Sequence, residues 1–456
     1  MTGRHALVRH PLAIAGALVT TVSAVVFIAL VVAMLAGLFH NPYAGLVVFV
    51  AIPACFAAGL VLIPVGMRIQ QRRLARDPTA RAEWPILDFG RASVRRTGLM
   101  IAALTALNIV ILLVAGYGSL HWMESPAFCG QVCHAPMHPQ FTAWQQASHG
   151  RVACVECHIG EGGAALLHAK LSGVRQLVHV ATNSYPRPIP PGAQMPPGAQ
   201  AQTCVGCHQP GRASGDHIRV IREYADDEQN SETLTVLQMH LGVSSSSKHA
   251  IHWHADPAVR VVYVSTDAER QTIPYVRVTD AKGSVKEFRT GDATDQTIGG
   301  GSRRTMDCVD CHNVVGHPIS PTAERAVDRA IAAALVSRDL PYVRREGSRL
   351  LKESYSDQDA GVRAIEHGLR RFYESQEGRG DEQALARTVA AFQDLYRRNV
   401  FPAMKVTWGA YPDNSGHVTS NGCFRCHDGE HKARDGSTIS ADCEYCHTQI
   451  ERPEAR

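Results

Sequence analysis

Cys154-Val-Glu-Cys157-His158 is the stretch that decides how this chain is read. Two thiols stand three positions apart, and an imidazole follows the second at once. The pattern recurs as Cys204-Val-Gly-Cys207-His208, Cys308-Val-Asp-Cys311-His312, Cys423-Phe-Arg-Cys426-His427 and Cys443-Glu-Tyr-Cys446-His447. A sixth copy, first in the chain, carries one extra residue: Cys129-Gly-Gln-Val-Cys133-His134. C-x-x-C-H is the signature of covalent haem c attachment. The two thiols form thioether bonds to the two vinyl groups of one porphyrin, and the adjacent imidazole reaches the iron from one face. The motifs therefore predict six haems c, with His134, His158, His208, His312, His427 and His447 as proximal iron ligands. The larger ring of atoms in the first motif closes on the same two vinyls.

Zinc sites also use paired cysteines, but they need no histidine directly after the second. A disulfide gives no reason for that histidine either. Twelve of the 13 cysteines belong to the motifs. The remaining one, Cys55, stands alone in an apolar run and reads as a small packing residue. A net charge of +4 over 456 residues is too small to argue for nucleic acid. The charged fraction of 19% is low, below the roughly 25% of ordinary globular chains, which points to long apolar runs.

Three such runs, 12–38, 43–67 and 97–120, contain no acidic or basic residue. Each exceeds the roughly 20 residues that a helix needs to cross a bilayer core. The first is also longer than the apolar region of a cleavable signal peptide, about 7–15 residues. Arg4 and Arg9 precede the first run, and eight arginines lie between Arg68 and Arg96. The positive-inside rule places both segments in the cytoplasm. The link from Phe39 to Pro42 carries no Lys or Arg and reads as a tight outer turn. Three spans from a cytoplasmic start put everything after Leu120 on the outer side, where haem c is attached. No histidine lies inside a span, so a membrane-embedded haem b is not expected.

Each iron also needs a ligand on its second face. Outside the motifs the outer domain holds 14 histidines for six places, which points to mostly bis-histidine iron suited to electron transfer. His149 stands five residues before Cys154, and His417 six before Cys423. His252 and His254 flank Trp253; in an extended strand they share a face and present imidazoles to adjacent haems, or one ligates while the other hydrogen-bonds. His179 lies on a helical pattern, and His317 follows His312 by five residues. Met137 and His138 are both candidates for the first haem.

The expected organisation is a membrane anchor over 1–121, a triple-haem domain over 122–210, a β-containing insertion with the fourth haem over 211–320, a helical segment over 321–402 and a two-haem segment over 403–456. Tyr185 to Gly198 holds six prolines and reads as an extended connector. Arg260–Val264, Tyr275–Val278 and Val285–Phe288 alternate as strands. Between Ala323 and Val400 three helical stripes recur: Val327, Ile331 and Leu335; then Val362, Ile365, Leu369 and Phe372; then Leu385, Val389, Phe392 and Tyr396. The fold class is thus a membrane-anchored multihaem cytochrome c. It joins three transmembrane helices to an outer, haem-rich, mostly α/coil domain with a small β insertion.

The stretches Phe128-Cys-Gly-Gln-Val-Cys-His134 and Ala147-Ser-His149-Gly-Arg-Val-Ala-Cys154-Val-Glu-Cys-His158 resemble the first half of NapC/NirT-type membrane-anchored multihaem cytochromes c. The resemblance continues through Ala169-Lys170-Leu-Ser-Gly173 and Cys204-Val-Gly-Cys207-His208 and covers roughly residues 120–210. Gly409-Ala-Tyr-Pro-Asp413 and Gly422-Cys-Phe-Arg-Cys-His427-Asp-Gly-Glu-His431 are similar to its longer members. The usual member has one anchoring helix and four haems, whereas this chain has three apolar runs and six motifs. Met137 also stands three residues past His134, where the family typically has two.

The resemblance implies a bacterial inner-membrane protein that takes electrons from membrane quinol and hands them to a periplasmic redox partner. It also implies a quinol contact at Lys170, the lysine after the second motif. Two other readings stand beside it. One is a relay subunit of a larger membrane complex with no quinone site of its own. The other is a terminal reductase that binds substrate at a five-coordinate haem.

Overall fold

The computed structural model describes residues 11–35, 47–76, 90–132, 134–159, 163–190, 199–208, 215–242, 250–375 and 381–451. Arg4, Arg9, the expected turn at 39–42, part of the arginine-rich loop, Cys133 and the end of the proline-rich connector lie outside them. The chain forms two compact units, residues 1–132 and 133–456.

The first unit is helical. Helix α1 spans Pro11–Leu35, and α2 spans Ile52–Arg76 after a π-turn at Val47–Ala51. Within them Pro11–Leu30 and Ile52–Arg72 are long and apolar enough to cross a membrane, with mean hydropathy 2.4 and 1.9. The second of these starts nine residues later than the apolar run that predicts it. The third apolar run lies inside α3, Ala92–Met123; among the described residues two spans, rather than the expected three, meet the length and hydropathy test. Small residues bring α1 and α2 close together. A side chain at Gly16 would meet the Gly59 carbonyl at 2.8 Å, and one at Gly59 would strike Thr20. Such small-residue contacts let membrane helices approach backbone to backbone.

The second unit holds more sheet than its sequence suggests. Short helices come first: α4 (His134–Trp144), α5 (Cys154–His158), α6 (Gly163–Ala181) and α7 (Ala199–Cys207). A long hairpin follows, β1 (Asp216–Tyr224) with β2 (Glu232–His240), and the C-terminal strand β8 (His447–Glu451) completes a three-stranded sheet in the order β1-β2-β8. The alternation at Ile218 and Val220 faces solvent, so this hairpin lacks the half-buried signature that marks a strand in sequence.

The second sheet joins β3 (Arg260–Ser265), β4 (Tyr275–Thr279), β5 (Val285–Arg289), β6 (Ser302–Thr305) and β7 (Lys432–Ala433) in the order β6-β3-β4-β5-β7. Helix α8 (Asp295–Gly300) precedes β6. The three alternating runs are β3 to β5. The domain is therefore a mixed helix and sheet body, not mostly α and coil. The two C-terminal motifs are woven into it, because β7 and β8 each complete a sheet begun some two hundred residues earlier.

Four helices form a body without cysteine: α9 (Ala323–Ala332), α10 (Val343–Lys352), α11 (Gln358–Glu374) and α12 (Glu382–Asn399). Thr322, Asp357 and Asp381 cap three of them by accepting backbone N–H groups. Val327, Ile331, Val362, Ile365, Leu369, Leu385, Val389, Phe392 and Tyr396 are all in the buried core, and Phe372 packs against it. Leu335 is the exception. Helix α9 ends at Ala332 and Ala334 turns left-handed, so Val336 enters the core and Leu335 stays exposed. Asn230, at the tip of the β1–β2 hairpin, ties it to this body by donating to the Arg338 and Leu340 carbonyls, both at 2.9 Å.

Phe392 is fully buried, and its ring fills the space a side chain at Gly347 would take. Phe392→Ala should cost the helical body about 3–5 kcal/mol. Thermal loss of helical circular dichroism should show this body melting early while haem absorbance persists.

Candidate haem-binding sites

Each motif ends in an imidazole; the fold decides what faces it. His208 faces His149 with ring centres 5.9 Å apart, and His158 faces His317 at 6.1 Å. His312 faces His252 at 6.3 Å, His427 faces His254 at 5.9 Å, and His447 faces His417 at 6.1 Å. A ligating nitrogen sits about 2.0 Å from its metal and about 1.2 Å from its own ring centre, so two imidazoles on one iron have centres about 6.4 Å apart. All five pairs lie within about half an ångström of that spacing, wide enough for one iron.

Backbone carbonyls orient the rings. Nδ1 of His252 donates to Leu241 O (2.8 Å), His254 to Ile251 O (2.9 Å), His317 to Gln140 O (2.9 Å) and His427 to Ser440 O (2.7 Å). A carbonyl only accepts, so Nδ1 carries the hydrogen and Nε2 keeps a free lone pair, as a metal ligand requires. Burial then favours the neutral ring. It lowers His158 to about 4, helped by His317. It also lowers His254, His312, His317 and His447.

The sequence placed His252 and His254 on a strand; Ile251–Ala255 is a 3-10 turn. With three residues per turn, positions two apart point about 120° apart around the axis. That is why the two rings serve two different motifs. Three further candidates lie elsewhere, on α4 and α6. His179 bonds Ser184 Oγ at 2.8 Å near the end of α6, His138 stands edge-on to Phe401 at 5.1 Å, and Met137 is half-buried on α4. His431, outside the candidate set, is buried with Nε2 on Ile273 O (2.7 Å) and Nδ1 on the Asp428 carboxylate (3.0 Å), which leaves no nitrogen for a metal. In the first motif Cys129 lies in a π-turn, Phe128–Val132, and His134 opens α4.

Residues 91–188 match the NapC/NirT cytochrome c family, N-terminal region. The chain is also 36% identical to the cytochrome c-type protein ImcH of Geobacter sulfurreducens, over 97% of its own length and 88% of the relative's. It belongs to the NapC/NirT family of membrane-anchored multihaem cytochromes c. No solved structure matches the chain. The family carries covalently bound haem c, and the paired imidazoles and neutral tautomers suit that group. Among the described residues, no three His, Cys, Asp or Glu side chains gather as a zinc site would need.

In this cytochrome the last five motifs neighbour one another in chain order. Burial raises Cys157, with smaller pushes from Cys154, Glu156 and, in the third motif, Cys207. The Cys204 and Cys308 thiols hydrogen-bond, which lowers Cys308 to about 7 and raises Cys204. Cys311 is pushed up to about 11 by burial and then by Cys423; Cys446 likewise rises to about 11 by burial and then by Cys423.

Sequence reasoning missed the charges packed between the fourth and fifth motifs. Asp310, inside Cys308-Val-Asp-Cys311-His312, has a fully buried side chain. Its Oδ1 accepts from Tyr263 Oη (2.6 Å), Arg270 Nη1 (3.0 Å) and Arg304 Nε (3.0 Å), and its Oδ2 accepts from the Asp307 N–H (2.8 Å). The variable positions of a C-x-x-C-H motif carry no attachment signal, so only the opposite charges of Asp310 and Arg425 hinted at a pairing. Asp310→Ala would leave Arg304 buried against one fewer carboxylate. Removing one partner of such a buried pair costs about 3–5 kcal/mol. The expected outcome is a marked loss of thermal stability at the fourth and fifth haems, read from their absorbance on heating.

Proposed function

We propose that the chain is a six-haem quinol dehydrogenase of the bacterial inner membrane, relaying electrons from the quinol pool to a redox partner on the outer side. The observation that carries this reading is the set of five imidazole pairs spaced 5.9–6.3 Å apart. In it each pair holds one iron: His149 with His208, His317 with His158, His252 with His312, His254 with His427 and His417 with His447. Haem c supplies a one-electron centre at each motif. At these five sites two imidazoles would leave no open position for a substrate, which favours a relay over a terminal reductase.

The chain's own residues do the rest. The cysteine thiols would hold each porphyrin by thioether bonds, and the carbonyls that accept from Nδ1 of His252, His254, His317 and His427 leave Nε2 free to ligate. Cys129, Cys133 and His134 follow the third apolar helix directly in sequence and form the entry point, with Met137 or His138 as the distal ligand. The last two motifs form the exit. Lys170 on α6 donates to a quinol oxygen and stabilises the charge left as protons depart. With α3 as a third span beside the two that meet the length and hydropathy test, the arginine distribution favours all six motifs on the periplasmic side.

Intact mass of the purified, full-length protein should show six attached haems. Reduced menaquinol or ubiquinol should reduce them anaerobically; a fully loaded protein that stays oxidised would sink the quinol reading. Lys170→Ala should slow that step by at least about tenfold while leaving dithionite reduction unchanged. His317→Ala should open one iron, so carbon monoxide shifts the spectrum of a single haem where the native protein shows no shift.

A further inference from the structure

Arg425 sits between the Cys423 and Cys426 attachment points, 7% exposed. Its three donor groups all meet backbone carbonyls. Nε donates to Gly422 O at 2.8 Å, Nη1 to Arg270 O at 3.0 Å and Nη2 to Asp310 O at 2.6 Å. The last bond links the variable position of the fifth motif to that of the fourth. Among the described residues no carboxylate pairs with this guanidinium, which stays charged at any working pH.

The surrounding cluster has three cations, Arg270, Arg304 and Arg425, against two anions, Asp307 and Asp310. Its net charge is therefore positive. Asp428, the next acid along, is paired with His431 at 3.0 Å. The site is also built to stay in place. Gly422, at φ +44°, lies so close to the Gly416 carbonyl that a Cβ would collide with it, and this turn fixes the carbonyl that receives Nε.

We propose that Arg425 is a fixed positive charge that raises the reduction potentials of the fourth and fifth haems together, while its bond to the Asp310 carbonyl locks the two motifs at one separation. The proposal rests on the haem reading above. Reduction adds an electron, and a nearby buried cation favours the reduced state more strongly than it would in water. Arg425 stands between Cys423 and Cys426 and is one hydrogen bond from the Asp310 carbonyl of the fourth motif, so its charge lies beside both attachment sites. The distal side is joined as well, because His252 and His254 share one 3-10 turn. Both faces of the two sites are thus coupled, and Arg425 acts as a positioning and tuning residue.

The test is a spectroelectrochemical titration of the full-length, haem-loaded protein in detergent, native against Arg425→Gln and Arg425→Lys. Arg425→Gln should lower the equilibrium constant for reduction at least about tenfold at two haems and leave the others in place, a shift of about 59 mV for each one-electron couple. Arg425→Lys keeps the charge and should stay within about threefold of native. Equal shifts in both variants, a shift spread over all haems, or a change under twofold would overturn the proposal.

Arg270→Gln, nearer the surface, removes one charge from the same cluster with less packing loss. It should lower the same two potentials, and it decides the matter if Arg425→Gln yields no loaded protein; no shift there sinks the idea. Peptide mapping separates the two possible failures. Peptides holding Cys308 and Cys311, or Cys423 and Cys426, without haem in the native protein would overturn the six-haem reading itself. Haem on both peptides with unmoved potentials would overturn only the role of Arg425.

Discussion

Five pairs of imidazoles with ring centres 5.9–6.3 Å apart run through the second unit, close to the roughly 6.4 Å that one iron held between two imidazoles requires. A C-x-x-C-H motif supplies one face of its iron from adjacent residues; the other face has to come from elsewhere in the chain. His317 reaches back to His158 across more than 150 positions, and His254 reaches forward to His427 across more than 170. Each pairing closes a long loop, which costs chain entropy. On the proposed reading, a covalently fixed group with a bond on each side would offset that cost at every closure. The fold around the motifs can then be built from short helices, single 3-10 turns and small sheets.

The distribution of buried side chains follows from this. The large hydrophobic cluster belongs to α9–α12, the body that holds no cysteine. Around the motifs the clusters are smaller; one gathers Val261, Tyr263, Val276 and Phe288 with Cys426, and another gathers Ala143, Ile319, Phe401 and Tyr411. A segment that packs against porphyrin needs fewer apolar side chains of its own. The helical body has no such group, so it must satisfy the ordinary rules: capped helices, apolar stripes at helical spacing, and rings such as Phe392 and Tyr396 seated against Gly347 and Gly361.

That contrast also explains what could be read from the sequence. The helical stripes and strands β3 to β5 were legible because their side chains alternate between core and solvent. The β1–β2 hairpin was not, since both faces of β1 are largely exposed, and neither was β8, whose partner β2 lies far back in the chain. The six cysteine–histidine motifs were legible to the residue, because attachment chemistry dictates their spacing. Candidate partners were legible from a surplus of histidines and from local position, but not which motif each would face. His149, His252, His254, His317 and His417 face motif imidazoles for reasons of tertiary closure, and nothing near His179 in sequence marks it as different. Leu335 shows the same limit at small scale: a stripe continues only while the helix does.

The two variable positions within each C-x-x-C-H motif, three in the first, are where this chain differs from site to site. Attachment does not constrain them, so they are free to respond to the neighbours that haem closure brings near. In the fourth motif the second of them is Asp310, whose charge is met by Arg270 and Arg304 and whose carbonyl receives Arg425. In the fifth it is Arg425 itself. Charge burial of this kind is costly unless every donor and acceptor is satisfied, and here the carbonyls of Gly422, Arg270 and Asp310 satisfy the guanidinium in full view of two sets of thiols. A hydrophobic pair of similar volume would hold the motifs together at less cost, but it would set no electrostatic potential at the sulfurs. A cation that is held by neutral carbonyls and not cancelled by a carboxylate is the arrangement that supplies position and field at once.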